Sequence, residues 1–447
     1  MEAVLDAQGL PDQAAEEHAA EHVERARVLP GEREVDPEDE RHEAEPGEHP
    51  VLQGRRQPRP DEPADERARE DGADVDERAG HARRSVAERR RVRGFGSVAT
   101  PCDILLVALG STGGLAAAED ELLGGLRRAG ADVWVVRSSP PRDVRTLALT
   151  DLQWARAARR AAQAGLLGHP PRHAVVFSTV TSALLWPDVP AGVRRAIRYD
   201  APAAANRPGR HGVWQRGAER RRLQEADLLL PQSPGTLEES PVTTVPAIVL
   251  PIPVEPSAPD LDGPRDLAAV TYATNWRKKG LDRVLAAWAY ARRDGETLAV
   301  AGASPAQVLD AAREGGMTGV PAGVEVHPTL APAEYRALLR RARAYVTAPR
   351  REDYGLAQLE ALADGCALVS TDAPGPYVAV ELARRVDARW IVADDRTPHV
   401  LAAAVRAALD GRPADLVART HAVLAPYRRA ATDRVIAEQV LPALTAR

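Results

Sequence analysis

The chain has 447 residues, enough for two or three domains, and its composition of 44% hydrophobic but only 4% aromatic residues describes aliphatic cores in a soluble chain. Its charge is uneven: residues 1–98 hold 26 acidic and 16 basic side chains, so the net −5 conceals an acidic head and a body near +5. A surplus that small over a body of about 350 residues argues against nucleic acid as a partner. No apolar run nears the ~18 residues of a membrane span, and the N-terminus lacks the apolar core of a signal peptide. The expected location is the cytoplasm, with at most peripheral contact at the inner membrane face.

Residues 1–98 read as a disordered extension, dense in Glu, Asp, Arg, Pro and Ala, with no sustained period of two or 3.6. Arg89-Arg90-Arg91 fits a solvated basic cluster in such a tail. Val98 lies just before the first apolar strand, so this head could also be an artefact of start-site choice, which intact mass of the natural protein would decide. From Asp103 the pattern changes. Ile104–Leu109 is a continuous apolar run of buried-strand length, followed by a glycine turn at Gly113-Gly114 and a helical pattern from Leu115 to Arg128. Further strands are expected at Val133–Val136, Ala174–Phe177, Ala196–Tyr199 and Leu228–Leu230, with helices at Leu152–Gly165 and Val213–Glu225. The proline-rich passage 251–264 reads as a linker.

The alternation then restarts with strands at Leu267–Tyr272, Leu298–Ala301, Val324–His327, Ala344–Thr347, Ala367–Ser370 and Trp390–Val392, and helices between them. Strands alternating with helices imply parallel sheets covered on both faces. The expected fold is α/β: two Rossmann-like doubly wound domains facing a cleft, over 103–250 and 265–425, with a C-terminal helix over 426–447. Ligands of such folds sit at the carboxyl edges of the strands. Cys102 and Cys366 are far apart, giving no disulfide framework and no zinc spacing, and no metal site is expected.

The passage from Glu352 to Gly365 is the most informative. Glu352 lies in a loop after a strand and Glu360 eight positions on, in the following helix, about one to two turns along at ~1.5 Å per residue. A helix N-terminus with free N–H groups receives an anion readily. Lys278 and Lys279 are the only lysines, every other fixed cation being arginine. A compact ammonium differs from a planar guanidinium, and a phosphate contact gives such a pair a use.

These residues carry a resemblance. Pro349, Glu352, Tyr354-Gly355-Leu356, Glu360-Ala361-Leu362-Ala363 and Gly365, followed by a valine-bearing strand and Thr371, resemble the donor signature of retaining nucleotide-sugar glycosyltransferases of GT-B architecture. The match is most similar to glycosyltransferase family four, the group 1 glycosyl transferases. It extends over about residues 103–447 in element order, with motif identity in the second half only. It implies transfer of a hexose-type sugar from a nucleoside-diphosphate-sugar, serving as co-substrate without a further cofactor, to an acceptor that is a glycan, a lipid-linked species or a small molecule.

By that resemblance Glu352 lies beside the donor sugar, where a carboxylate stabilises an oxocarbenium-like transition state. The amides of Gly355 and Leu356 cap a phosphate oxygen, Glu360 accepts the ribose hydroxyls, and Lys279, in Lys279-Gly280-Leu281, neutralises the leaving diphosphate. Where the family has a Gly-Arg pair this chain has Tyr272-Ala273-Thr274, so either Arg277 or Lys278 supplies the second cation, or the site runs with one. Tyr354, Thr371, Gly113 and Gly114 complete the expected donor site. Asp200 is placed at the acceptor side and counted with Glu352 and Lys279 as catalytic. The rival readings are an epimerase or phosphorylase on the same frame, or a non-catalytic nucleotide-sugar-binding protein. Product without acceptor, dependence on inorganic phosphate, or binding without turnover would distinguish them.

Overall fold

The computed structural model describes residues 99–139, 147–207, 209–261, 263–328, 330–393 and 397–446. The extension expected over 1–98 lies outside the described residues. Two parallel sheets organise the remainder. The first contains β1 (Cys102–Ala108), β2 (Val133–Arg137), β3 (Pro171–Phe177), β4 (Arg194–Tyr199) and β5 (Leu228–Pro231), in the order β2-β1-β3-β4-β5. The second contains β6 (Leu267–Tyr272), β7 (Leu298–Ala301), β8 (Val324–His327), β9 (Ala342–Thr347), β10 (Ala367–Thr371) and β11 (Ile391–Val392), in the order β11-β10-β9-β6-β7-β8. Each expected strand exists, and several begin a few residues earlier than their apolar runs suggest.

Period-two alternation explains how one strand serves two layers. In β1, Leu105 and Val107 join a core with Ala155, Ala158 and Ala162 of the helix Leu147–Gly168. Ile104 and Leu106 face the opposite layer, with Leu122 and Leu126 of the helix Gly113–Arg128. Strands buried on both faces read as unbroken aliphatic runs because neither face meets water.

The C-terminal helices return to the first sheet: Ile436, Val440 and Leu444 pack with Ile104, Leu106 and Leu126 and complete its core. Two ion pairs fix this return, Arg128 with Asp433 at 2.7 Å and Arg429 with Glu121 at 2.7 Å.

The passage between the sheets is also tied down. Ile252 and Val254 are buried, and the Tyr354 hydroxyl accepts from the Ile252 N–H at 2.9 Å and donates to the Ile252 carbonyl at 3.1 Å. Tyr354→Phe leaves both peptide groups without that partner, and an unsatisfied buried polar group costs about 1–3 kcal/mol. A loss of that order in urea denaturation is expected; an unchanged midpoint would show that the hydroxyl is not holding the linker.

Candidate functional site

In the second sheet, β6 and β9 are neighbours whose following connections run to opposite sides, which makes a crevice at their carboxyl ends. The loop after β6 carries Lys278, Lys279 and Gly280; the loop after β9 carries 349–355. The two loops are bonded to each other. The Arg350 N–H donates to the Lys278 carbonyl at 2.9 Å, and the Arg350 guanidinium donates to the Arg277 carbonyl at 2.7 Å and grips Asp282 at 2.9 and 3.0 Å. Gly280 has φ +66, and a Cβ there would stand 1.7 Å from the Ala348 carbonyl oxygen. Only a residue without a side chain lets the lysine loop lie flat on the end of β9.

That contact delivers both lysines to the acidic loop. Lys279 Nζ lies 2.5 Å from Glu352 Oε2 and Lys278 Nζ lies 3.4 Å from Asp353 Oδ2. Glu352 and Asp353 are buried, while Lys278 keeps 43% of its side chain exposed. An ammonium has three protons, so Lys279 can hold Glu352 and still donate to a ligand oxygen. Gly355, at φ +84, then turns the chain into the helix Leu356–Ala363, and no side chain caps its first amides. Cations, free amides and a carboxylate thus converge on one corner of the crevice, an arrangement suited to a polyanion attached to a polyol.

Glu352 is gripped from a second side by Gln358, whose Nε2 donates to Oε2 at 3.0 Å and to the Tyr377 hydroxyl at 3.2 Å. Neither residue was singled out from the sequence. Gln358 stands at an unremarkable helical position, and Tyr377 is 25 residues beyond Glu352 in sequence, so no local spacing marks either.

The remaining expected residues are placed as follows. Arg277 does not join the lysines. Its guanidinium lies over the Trp276 ring, 4.1 Å from the centroid, and pairs with Glu314 at 2.6 Å, so of the two candidate second cations it is Lys278 that points to the acidic loop. Tyr354 gives its hydroxyl to the linker rather than to the crevice, leaving this stretch to act through its backbone. Glu360 lies 3.6 Å from Arg336, itself held by Asp364 at 2.7 Å; burial raises the Glu360 carboxyl, Arg336 opposes the rise and Asp364 adds to it. Leu356 opens the helix, half-buried against the core of the second sheet. Thr371 ends β10, and among the described residues its buried hydroxyl has no hydrogen-bond partner.

Gly113 and Gly114 open the helix after β1, with free space where a Cβ would stand. The network around Glu352 does not include them. Instead, the turn before them is held by buried Glu119, which accepts from the Leu109 N–H at 2.7 Å and from Ser178 Oγ at 2.6 Å.

Asp200 directly follows β4 and is exposed, yet desolvation by the protein around it raises its carboxyl above the ordinary value, Asp353 adds to the rise and Lys278 opposes it. Asp353 and Lys278 belong to the loops of the second sheet, so Asp200 lies within Coulombic reach of them. Arg351 closes the span between the two sheets, contacting Asp353 at 2.9 Å and Glu239, on the first-sheet side, at 2.9 Å.

Behind Asp200, Glu219 accepts the Ala203 N–H with both oxygens, at 2.9 and 2.8 Å. Burial pushes its carboxyl from 4.5 up to about 7, the Ala203 bond working against burial and Asp200 with it. Because the folded value exceeds the unfolded one, stability is fully present below about pH 4.5 and is lost as pH rises through about 7. At about 1.36 kcal/mol per unit the loss is on the order of 3 kcal/mol. Glu219→Gln should flatten that slope in urea denaturation between pH 5 and pH 8; retention of the wild-type slope would show that another group carries it.

With this geometry in place, residues 266–411 match the family model described as glycosyl transferases group 1. This stretch is a group 1 glycosyl transferase segment. The whole two-sheet arrangement is that of GT-B glycosyltransferases. WaaG, a glycosyltransferase involved in lipopolysaccharide biosynthesis, is 14% identical with a TM-score of 0.56, covering 77% of this chain and 100% of its own. Sucrose-phosphate synthase from Thermosynechococcus elongatus is 15% identical with a TM-score of 0.60, covering 78% and 100%. Anabaena HepE, solved in complex with UDP and glucose, is 12% identical with a TM-score of 0.56, covering 76% and 99%. At these identities the structures establish the fold alone. No curated protein sequence matches the chain. Among the described residues no helix is long and apolar enough to cross a membrane.

Proposed function

We propose that the chain transfers a sugar from a nucleoside-diphosphate-sugar to an acceptor with retention of configuration. The observation that carries this reading is the meeting of Lys279 with Glu352 at the uncapped entrance of the helix Leu356–Ala363. The group 1 match over the same stretch supports it, and a relative of the same fold has been solved with UDP and glucose.

In this reading Lys279, Lys278 and the amides at the helix entrance bind the diphosphate and stabilise the charge that develops as it departs. Glu352, fixed beside them, faces the sugar and stabilises its positive charge in the transition state. Asp200, across the cleft, orients the acceptor hydroxyl. The acceptor oxygen attacks from the face that the diphosphate leaves: the C1–phosphate oxygen bond breaks, the C1–acceptor oxygen bond forms, and the departing phosphate oxygen takes the hydroxyl proton. Glu360, with Arg336 beside it, meets the ribose hydroxyls.

The test is calorimetry with UDP and GDP on the wild-type chain and on Lys279→Ala. A hydrogen bond to a charged group is worth about 1.5–3 kcal/mol, so the better of the two nucleotides should bind ~10–100-fold more weakly to the variant. Equal affinity in both proteins would remove Lys279 from the diphosphate site.

A further inference from the structure

Gln358 is fully buried in the first turn of the helix Leu356–Ala363; its Oε1 has no hydrogen-bond partner among the described residues, and the bonds around its Nε2 decide which way the amide faces. Ser370 Oγ donates its single proton to the Thr371 carbonyl at 2.9 Å. The 3.1 Å contact between Ser370 and Tyr377 must then use the proton of Tyr377. With that proton spent, the Tyr377 oxygen can only accept at the Gln358 contact, so the amide of Gln358 presents its NH₂ and not its carbonyl. The second N–H of the same group is left for Glu352 Oε2. Burial and the Glu352 charge both push the Tyr377 phenol above its ordinary value, which keeps the proton this chain of bonds needs.

Glu352 Oε2 therefore takes both donors, Lys279 and Gln358. Oε1 takes neither, and it is not among the atoms sealed in the protein without a partner. We infer that Gln358 is a positioning residue: the Ser370–Tyr377–Gln358 relay locks Glu352 so that Oε2 stays with Lys279 and Oε1 is the oxygen presented to the donor sugar. The sugar in this statement rests on the proposed donor reading; the relay itself does not.

Two measurements on the full chain test it. With glutamine-selective ¹⁵N labelling, the Gln358 side-chain amide, assigned by its loss in Gln358→Leu, should exchange slowly with water and ~10-fold or more faster in Tyr377→Phe. With UDP-glucose as probe, Gln358→Leu should lower kcat ~10–100-fold and Tyr377→Phe by less, the Kd for UDP remaining within about twofold, because a displaced catalytic group costs rate more than binding. A Gln358 amide that exchanges like a free glutamine in the folded wild type overturns the relay. An unchanged kcat in Gln358→Leu overturns the positioning role. If the wild type neither binds UDP nor consumes UDP-glucose, that donor assignment falls, and amide exchange still decides whether the relay exists.

Discussion

Replacing Glu352 with glutamine is expected to reduce sugar transfer by about 10²–10³ in kcat, the range for removing one preorganised stabilising group. The variant keeps the shape of the side chain and removes its charge. The amide it introduces has one acceptor oxygen where the carboxylate has two, and Oε2 alone already accepts from both Lys279 and Gln358. A glutamine oxygen turned to Oε2 still meets both donors, but its NH₂ then stands where Oε1 faced the sugar. Turned the other way, three donors converge. Diphosphate binding should behave oppositely: Lys279, released from its carboxylate, should hold UDP as well as or better than in the wild type. Loss of turnover with retained UDP affinity in calorimetry is the expected pair of results. Unchanged turnover removes Glu352 from the chemistry, and parallel loss of both would make its role one of holding the lysine.

The largest effect on stability is expected at Gly280. A left-handed residue with a Cβ costs about 1–2 kcal/mol from its own backbone. At Gly280 the added carbon would also lie 1.7 Å from the Ala348 oxygen, a distance no adjustment of a side chain can relieve because both partners are backbone. Gly280→Ala should therefore lose about 4 kcal/mol or more in urea denaturation, in the range reserved for named backbone or packing failures. Gly113→Ala is the control: its Cβ would meet nothing within 4 Å, and its effect should stay within about 0.5 kcal/mol. The glycine also couples stability to binding, since the loop it allows to lie on β9 delivers Lys279 to Glu352. Whatever fraction of Gly280→Ala folds should bind UDP less well than the wild type. If Gly280→Ala melts like Gly113→Ala, the two loops are not packed as described.

How much of this was legible beforehand follows from the range of each interaction. The strands β1, β6 and β10 could be read because a strand buried on both faces has to be aliphatic along its length, a property of consecutive residues. The lysine loop and the acidic loop could be paired only through the resemblance, since Lys279 and Glu352 are 73 positions apart and nothing local to either names the other. Arg277 was as eligible as Lys278 on charge; the ring of Trp276, next to it in sequence, and the carboxylate of Glu314 take it elsewhere, and only folding brings Glu314 there. A C-terminal helix over 426–447 was expected, but nothing local to those residues says which sheet they cover.

What the chain's own order of residues determined was the succession of buried strands and helices, the flexible glycine entrances, and the concentration of its two lysines beside one of them. These depend on side-chain polarity and backbone freedom over a few neighbouring positions. Folding decided the rest: that Glu352 is held by Gln358 through Tyr377 and Ser370, that Tyr354 serves the linker, that Arg351 joins Asp353 to Glu239, and that Glu219 is buried enough to titrate near neutrality. The Tyr354–Ile252 and Arg351–Glu239 contacts join segments 102 and 112 positions apart, while the Gln358 bonds and the burial of Glu219 depend on how each half packs its own helices and strands.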